Sequence, residues 1–161
     1  MTRRVTGPFI EAVAGDGSPH SLTPFVLVRF GLGRLDPAIA MLVDTGADTT
    51  ALGPRDALAL LGRSYLDVDF DRGPGAIKVR GYGGSDGSAL VSPMELWLRD
   101  TDEIDFPVLL NVAITKPSPA QPGDHGNWQL PSLLGRDILS HFDLALSYNP
   151  PSVSLIEVAT V

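Results

Sequence analysis

Seven short runs rich in β-branched or aromatic residues are scattered among turn formers, and this arrangement limits the fold class more than any other feature. They are Pro24–Phe30, Ile39–Val43, Ile77–Arg80, Ala89–Leu98, Phe106–Ile114, Leu144–Ser147 and Val153–Val158. Turn residues bound most of them, drawn from 17 glycines and 14 prolines that are spread along the chain rather than clustered at one end. Short strands with frequent turn signals predict an all-β sandwich or closed barrel. Two segments read as helical. Pro54–Leu61 has Pro at a plausible first helical position and Gly62 just past its end. Arg136–Phe142 is a short C-terminal helix of one or two turns. With 161 residues and no internal repeat, residues 1–161 are expected to form one domain.

Several function classes drop out on composition. The chain has no cysteine, which removes disulfides, thiolate zinc sites and cysteine nucleophiles. Its net charge of −7 repels phosphate backbones, so no nucleic-acid partner is expected. No apolar stretch approaches the roughly 18 residues of a membrane span. Met1–Val5 is basic but lacks a following apolar region, so a cytoplasmic domain is expected. His20, His125 and His141 are far apart without metal-ligand spacing, and no metal is expected. His141 is assigned to the short helix. Asp67-Val68-Asp69-Phe70-Asp71 mimics the start of a calcium loop. Arg72 stands where glycine should, and Lys78 where the bidentate Glu should. The stretch reads instead as a solvated strand. No Gly-x-Ser-x-Gly setting and no complete dinucleotide or phosphate loop is present, so no cofactor is expected.

One stretch carries chemistry. In Met41-Leu42-Val43-Asp44-Thr45-Gly46-Ala47-Asp48-Thr49-Thr50 an apolar strand runs straight into an acid and then a small turn. A lone carboxylate at a strand end is costly to bury without hydrogen bonds. Gly46 lets the backbone turn tightly and bring N–H groups toward it. Asp-Thr-Gly is also an ordinary strand-to-turn sequence, so its context matters. Further along come Gly81-Tyr82-Gly83-Gly84, between two strand-like runs, and Leu133-Leu134-Gly135-Arg136-Asp137.

In these three motifs, in this order, the chain resembles the retropepsins, the retroviral-type aspartic proteases. The resemblance covers about residues 24–157 and implies a single acid-protease lobe. It implies that Asp44 is the catalytic acid, that Thr45 hydrogen-bonds across a dimer axis, and that Gly46 leaves room for the substrate backbone. Ala47 and Asp48 would lie beside the substrate. Asp48 would pair with Arg136, read as a buried pair following the Leu-Leu-Gly whose glycine is Gly135. Gly81, Tyr82, Gly83 and Gly84 would form a flap over bound peptide. Ala47 stands where many acid proteases have a serine whose hydroxyl bonds the charged carboxylate. A mildly acidic to neutral pH optimum is therefore expected.

The chemistry needs two carboxylates sharing one proton. Asp16-Gly17-Ser18 and Asp86-Gly87-Ser88 have the wrong order to supply a second acid loop. The expected active species is thus a homodimer pairing two copies of Asp44, acting as an endopeptidase on a peptide or protein substrate. The alternative is a catalytically inactive module of the same fold that dimerises or binds peptide. Finally, Thr115–Ser132 is a proline-rich segment without strand or helix character. Its Trp128–Pro131 end, with Trp128 and Leu130, is expected to line the substrate cleft, and Pro117–Gly126 to be mobile.

Overall fold

The computed structural model describes residues 2–13, 19–31, 37–80, 87–118 and 126–158. Alternation of side chains explains most of its strands. In β4 (Ile39–Val43) Ile39, Met41 and Val43 point into the core. In β7 (Gly87–Arg99) Met94, Leu96 and Leu98 are buried, while Glu95 and Arg99 face water. In β11 (Pro151–Glu157) Val153 and Leu155 are fully covered. The helix α1 (Pro54–Leu61) opens on Pro54. It ends at Gly62, whose φ of 68° is the left-handed region that glycine enters without strain.

The protein is mostly β-sheet. A three-stranded sheet has the order β1 (Arg4–Gly7), β11, β10 (Phe142–Tyr148), all antiparallel. An eight-stranded sheet has the order β2 (Phe9–Val13), β3 (Pro19–Phe30), β4, β9 (Leu133–Leu134), β5 (Ala51–Leu52), β8 (Asp105–Thr115), β7, β6 (Ala76–Val79). The far end of β3 also pairs with β7, Arg29 opposite Trp97 and Phe30 opposite Leu96. Two pairings are parallel, β4 with β9 and β5 with β8. One apolar core joins both sheets and both α-helices, with Val26, Met41, Leu52, Leu96, Leu134 and Leu155 at its centre.

The structure departs from the sequence reading in several places. Residues before Pro24, given no role there, supply β1 and β2, which add to β11 and β3. The short helix α2 spans Arg136–Leu139 only, because Phe142 already belongs to β10. His141 therefore lies in the connecting turn, with its N–H bonded to the Ile138 carbonyl. Asp67–Asp71 is not a strand. A 3-10 helix (Gly62–Asp67) runs into a turn in which Asp69 Oδ1 accepts the N–H groups of Asp71 and Arg72. Local side-chain capture of backbone donors competes with strand pairing, and Asp is well suited to it. Phe70 meanwhile turns into the core and meets Tyr65 edge-on at 5.7 Å.

That turn aims Asp71 at a small ionic cluster. Asp71 Oδ2 accepts from Lys116 Nζ at 2.6 Å, and its Oδ1 accepts from Lys78 Nζ at 3.1 Å and from Ser88 Oγ at 3.0 Å. Lys116, then Lys78, then Ser88 hold the Asp71 carboxyl well below the usual carboxylate range. A carboxylate whose folded pKa is depressed adds stability above its unfolded pKa and loses it as pH falls through the folded one. Wild type should therefore be more resistant to urea than Asp71→Asn at neutral pH. The gap should hold down to about pH 4, the unfolded aspartate range, and shrink as the pH drops further. Urea midpoints for the two proteins across an acid titration check this.

Candidate active site

Asp44 is delivered by β4. The alternation that buries Val43 leaves Asp44 half-buried at the strand end. Parallel pairing with β9 fixes that end: Leu42 N–H donates to Ser132 O at 2.8 Å, and Asp44 N–H to Leu134 O at 3.1 Å. The chain then turns, with Ala47 N–H bonded to the Asp44 carbonyl. The turn brings Gly46 N–H to Asp44 Oδ1 at 2.8 Å. Asp44 Oδ2 takes no hydrogen bond from the described residues. Thr45, Gly46 and Asp48 are exposed, and Ala47 is half-buried.

The loop is held from behind by the Leu133–Asp137 segment. Arg136 N–H donates to Ala47 O at 2.8 Å and Asp137 N–H to Asp48 O at 3.3 Å. Fully buried Thr50 ties the two segments together. Its hydroxyl donates to Asp137 Oδ1 at 2.6 Å and accepts the Gly135 N–H at 3.1 Å. Its backbone N–H donates to Asp137 Oδ2 at 2.8 Å. Asp137 Oδ1 also accepts Ile138 N–H. Gly135 is required by proximity: a Cβ there would meet the Thr49 carbonyl carbon at 2.5 Å. Sequence reasoning passed over Thr50 and Asp137. The available signal was an acid in the first turn of a helix facing a Thr between a polar loop and an apolar pair.

Arg136 and Asp48 do form an ion pair. The expectation of a buried pair is corrected for this chain, since the two side chains are 62% and 79% exposed. Both project from the outer side of the interlock, where only their backbones contribute to it.

Other expected site residues are placed as follows. Trp128 packs against the main core, and its Nε1 donates to Ser118 O at 2.9 Å. Asn127 closes the same neck, its Oδ1 accepting Ser118 N–H and its Nδ2 donating to Lys116 O, both at 2.8 Å. Leu130 is half-buried, and its carbonyl lies against Gly53. Ser132, also missed in the sequence, is fully buried. It donates to Asp56 Oδ2 and accepts Gly53 N–H, fastening α1 to the strand beside Asp44. Gly81, Tyr82, Gly83 and Gly84 lie outside the described residues, as do 119–125 of the segment expected to be mobile. The strands flanking the glycine-rich motif pair antiparallel, Val79 opposite Gly87. Among the described residues no group of three or more His, Asp or Glu is placed to hold a metal ion. No helix among them is long and apolar enough to cross a membrane. No protein-family model matches the chain, and comparison with curated proteins gives no match.

The two tethers of the loop should differ in weight. Thr50→Val keeps the shape but leaves the buried Gly135 N–H without its acceptor and Asp137 Oδ1 with only the Ile138 N–H. A buried polar group left unsatisfied costs about 1–3 kcal/mol. Arg136→Ala removes an exposed pair, which in solution contributes about 0–1 kcal/mol. Urea denaturation should therefore rank Thr50→Val as clearly the more damaging of the two.

Proposed function

We propose that this chain is one half of an aspartic endopeptidase of the retropepsin type, active when two copies bring their Asp44 side chains together. The observation that carries the reading is the acid loop itself. A carboxylate sits at the end of a core strand, with one oxygen held by Gly46 N–H and the other unbonded among the described residues. The loop is clamped from behind by backbone bonds to Leu134, Arg136 and Asp137. Positional rigidity of this kind is what a catalytic carboxylate needs. The pairings that lead from β3 through β4, β9, β5, β8 and β7 back to β3 suit a closed, barrel-like lobe. Exposure of Thr45 beside Asp44 suits a loop that meets its own copy across a twofold axis.

In that arrangement two like charges in contact cannot both ionise, so the pair holds one proton. The ionised Asp44 takes a proton from a water lying between the two, and the water oxygen attacks the scissile carbonyl carbon. The protonated Asp44 gives its proton to the carbonyl oxygen. The Asp44 that took the water proton passes it to the amine nitrogen, the other Asp44 takes back one diol proton, and the C–N bond breaks. No covalent enzyme intermediate arises. Gly46 and Ala47 form the floor beside the peptide backbone, and Asp48 with Arg136 flanks it. The glycine-rich motif at Gly81–Gly84 is assigned to the covering flap, and Trp128 with Leu130 to one wall.

A library of peptides incubated with the purified protein tests this. Cleavage is expected, and Asp44→Asn should reduce it by roughly 10²–10⁴-fold, the range for loss of a general acid–base group. The variant should keep the wild-type melting temperature. Specific activity should also fall on dilution as dimers dissociate. An Asp44→Asn protein that cuts as well as wild type, or a proven monomer with undiminished activity, refutes the reading. A chain that binds peptides without cutting them is the inactive module instead.

A further inference from the structure

The ionic cluster at Asp71 occupies a particular place in the sheet. Lys78 and Ser88 are directly opposite in the β6–β7 ladder, and Lys78 Nζ reaches Ser88 Oγ at 2.7 Å. On the other side of β7, Lys116 N–H donates to Ser88 O at 2.9 Å. Lys116, Ser88 and Lys78 thus form one row across three adjacent chain segments, with Asp71 set over them. That row is also where support for the hairpin stops. β8 ends at Thr115, opposite Ala89. One residue beyond the row, Val79 and Gly87 pair with each other and with no third described strand. Two strands paired only with each other are marginally stable, so the end of this ladder depends on what fixes its last flanked row.

The cluster is built rather than incidental. Its lysines are the only two in the chain, and both meet the same carboxylate. Ser88, the shared hydroxyl, is 7% exposed. Asp71 cannot drift, because Phe70 is anchored in the core and Asp69 caps the turn from within. Beyond the row, half-buried Val79 rests on Ala51, Ala89 and Ala113. Ala51 directly follows Thr50, so the hairpin leans on the strand that leaves the acid loop.

We propose that Asp71, held by Lys116, Lys78 and Ser88, is an ionic clamp that fixes the end of the β6–β7 ladder against β8. Its consequence for catalysis, which rests on the protease reading, is that Asp71 is a positioning residue: it holds the hairpin at the distance from Asp44 at which peptide binds.

The test compares wild type, Asp71→Asn, Asp71→Glu and Lys116→Met by amide hydrogen exchange. Amides of Ala76–Val79 and Gly87–Ala89 report the hairpin, and those of the β10–β11 ladder serve as the internal reference. Asp71→Asn and Lys116→Met should each speed hairpin exchange by about 3- to 10-fold, the scale of a small exposed ion-pair network. Asp71→Glu should retain most of the protection. Raising the salt to about 1 M, where the screening length falls to about 3 Å, should speed exchange in wild type more than in Asp71→Asn. Unchanged hairpin exchange in both Asp71→Asn and Lys116→Met overturns the clamp. Hairpin acceleration no greater than that in β10–β11 also overturns it, because the global loss of stability expected of Asp71→Asn then accounts for all of it. With a cleaved peptide in hand, Asp71→Asn should raise KM several-fold and leave kcat within about 2-fold, a split that a purely structural loss does not give. A loosened hairpin with both constants unchanged overturns the positioning role. If wild type cuts nothing, the protease reading fails, while the exchange data still decide the clamp.

Discussion

The side chain of Thr50 is the point on which the rest of the acid loop depends. Its hydroxyl both donates to Asp137 and accepts from Gly135, and its backbone N–H uses the second Asp137 oxygen. A carboxylate that takes two bonds from one residue fixes position and orientation together. Because Thr50 and Gly135 are buried, water does not replace the bond between them. The cost of breaking the set is therefore greater than the count of bonds implies. Everything upstream inherits the constraint: Ala47 and Asp48 carbonyls meet the Arg136 and Asp137 amides, and Asp44 meets Leu134. The Asp44 carboxylate gets its place from this backbone weave, and the exposed Arg136–Asp48 pair decorates it from outside.

A general division of labour follows. Buried neutral and semi-buried charged groups hold the loop, and exposed ion pairs tune what lies around it. The same division recurs next to the acid loop. There Ser132 ties α1 to the strand beside Asp44 through two bonds made out of water. The Asp71 cluster, by contrast, is open to solvent and acts where the hairpin departs. The acid loop is thus fastened by bonds that salt cannot reach, and the end of the β6–β7 ladder by bonds that it can.

How much of this could be read from the sequence depended on how local each signal was. β4 and α1 have the bounds expected of them, because each carries a full period of apolar residues between clear stop signals. β5 and β9 are two residues long, too short for any period, and exist because their neighbours complete them. β1 buries only Val5 among its four residues, so its pattern is silent until β11 is beside it. Asp67–Asp71 had the right alternation for a strand and still became a turn, because Asp69 satisfies the backbone locally. Within the site, Asp44-Thr45-Gly46 was legible as a motif. The Thr50–Asp137 bond was not, because its partners are 87 residues apart and no single window contains both.

That separation also orders events in time. A chain leaving the ribosome presents Asp44 long before residues 133–137, and the parallel pairing of β4 with β9 closes a large loop before any contact repays its entropy. The Asp44 N–H and the Ala47 and Asp48 carbonyls have no partner until residues 133–137 arrive. A nascent or C-terminally truncated chain therefore carries the acid without the geometry. For a chain proposed to hydrolyse peptide bonds, this is a safeguard written into topology: the acid loop gains its geometry only once residues 133–137 have been made.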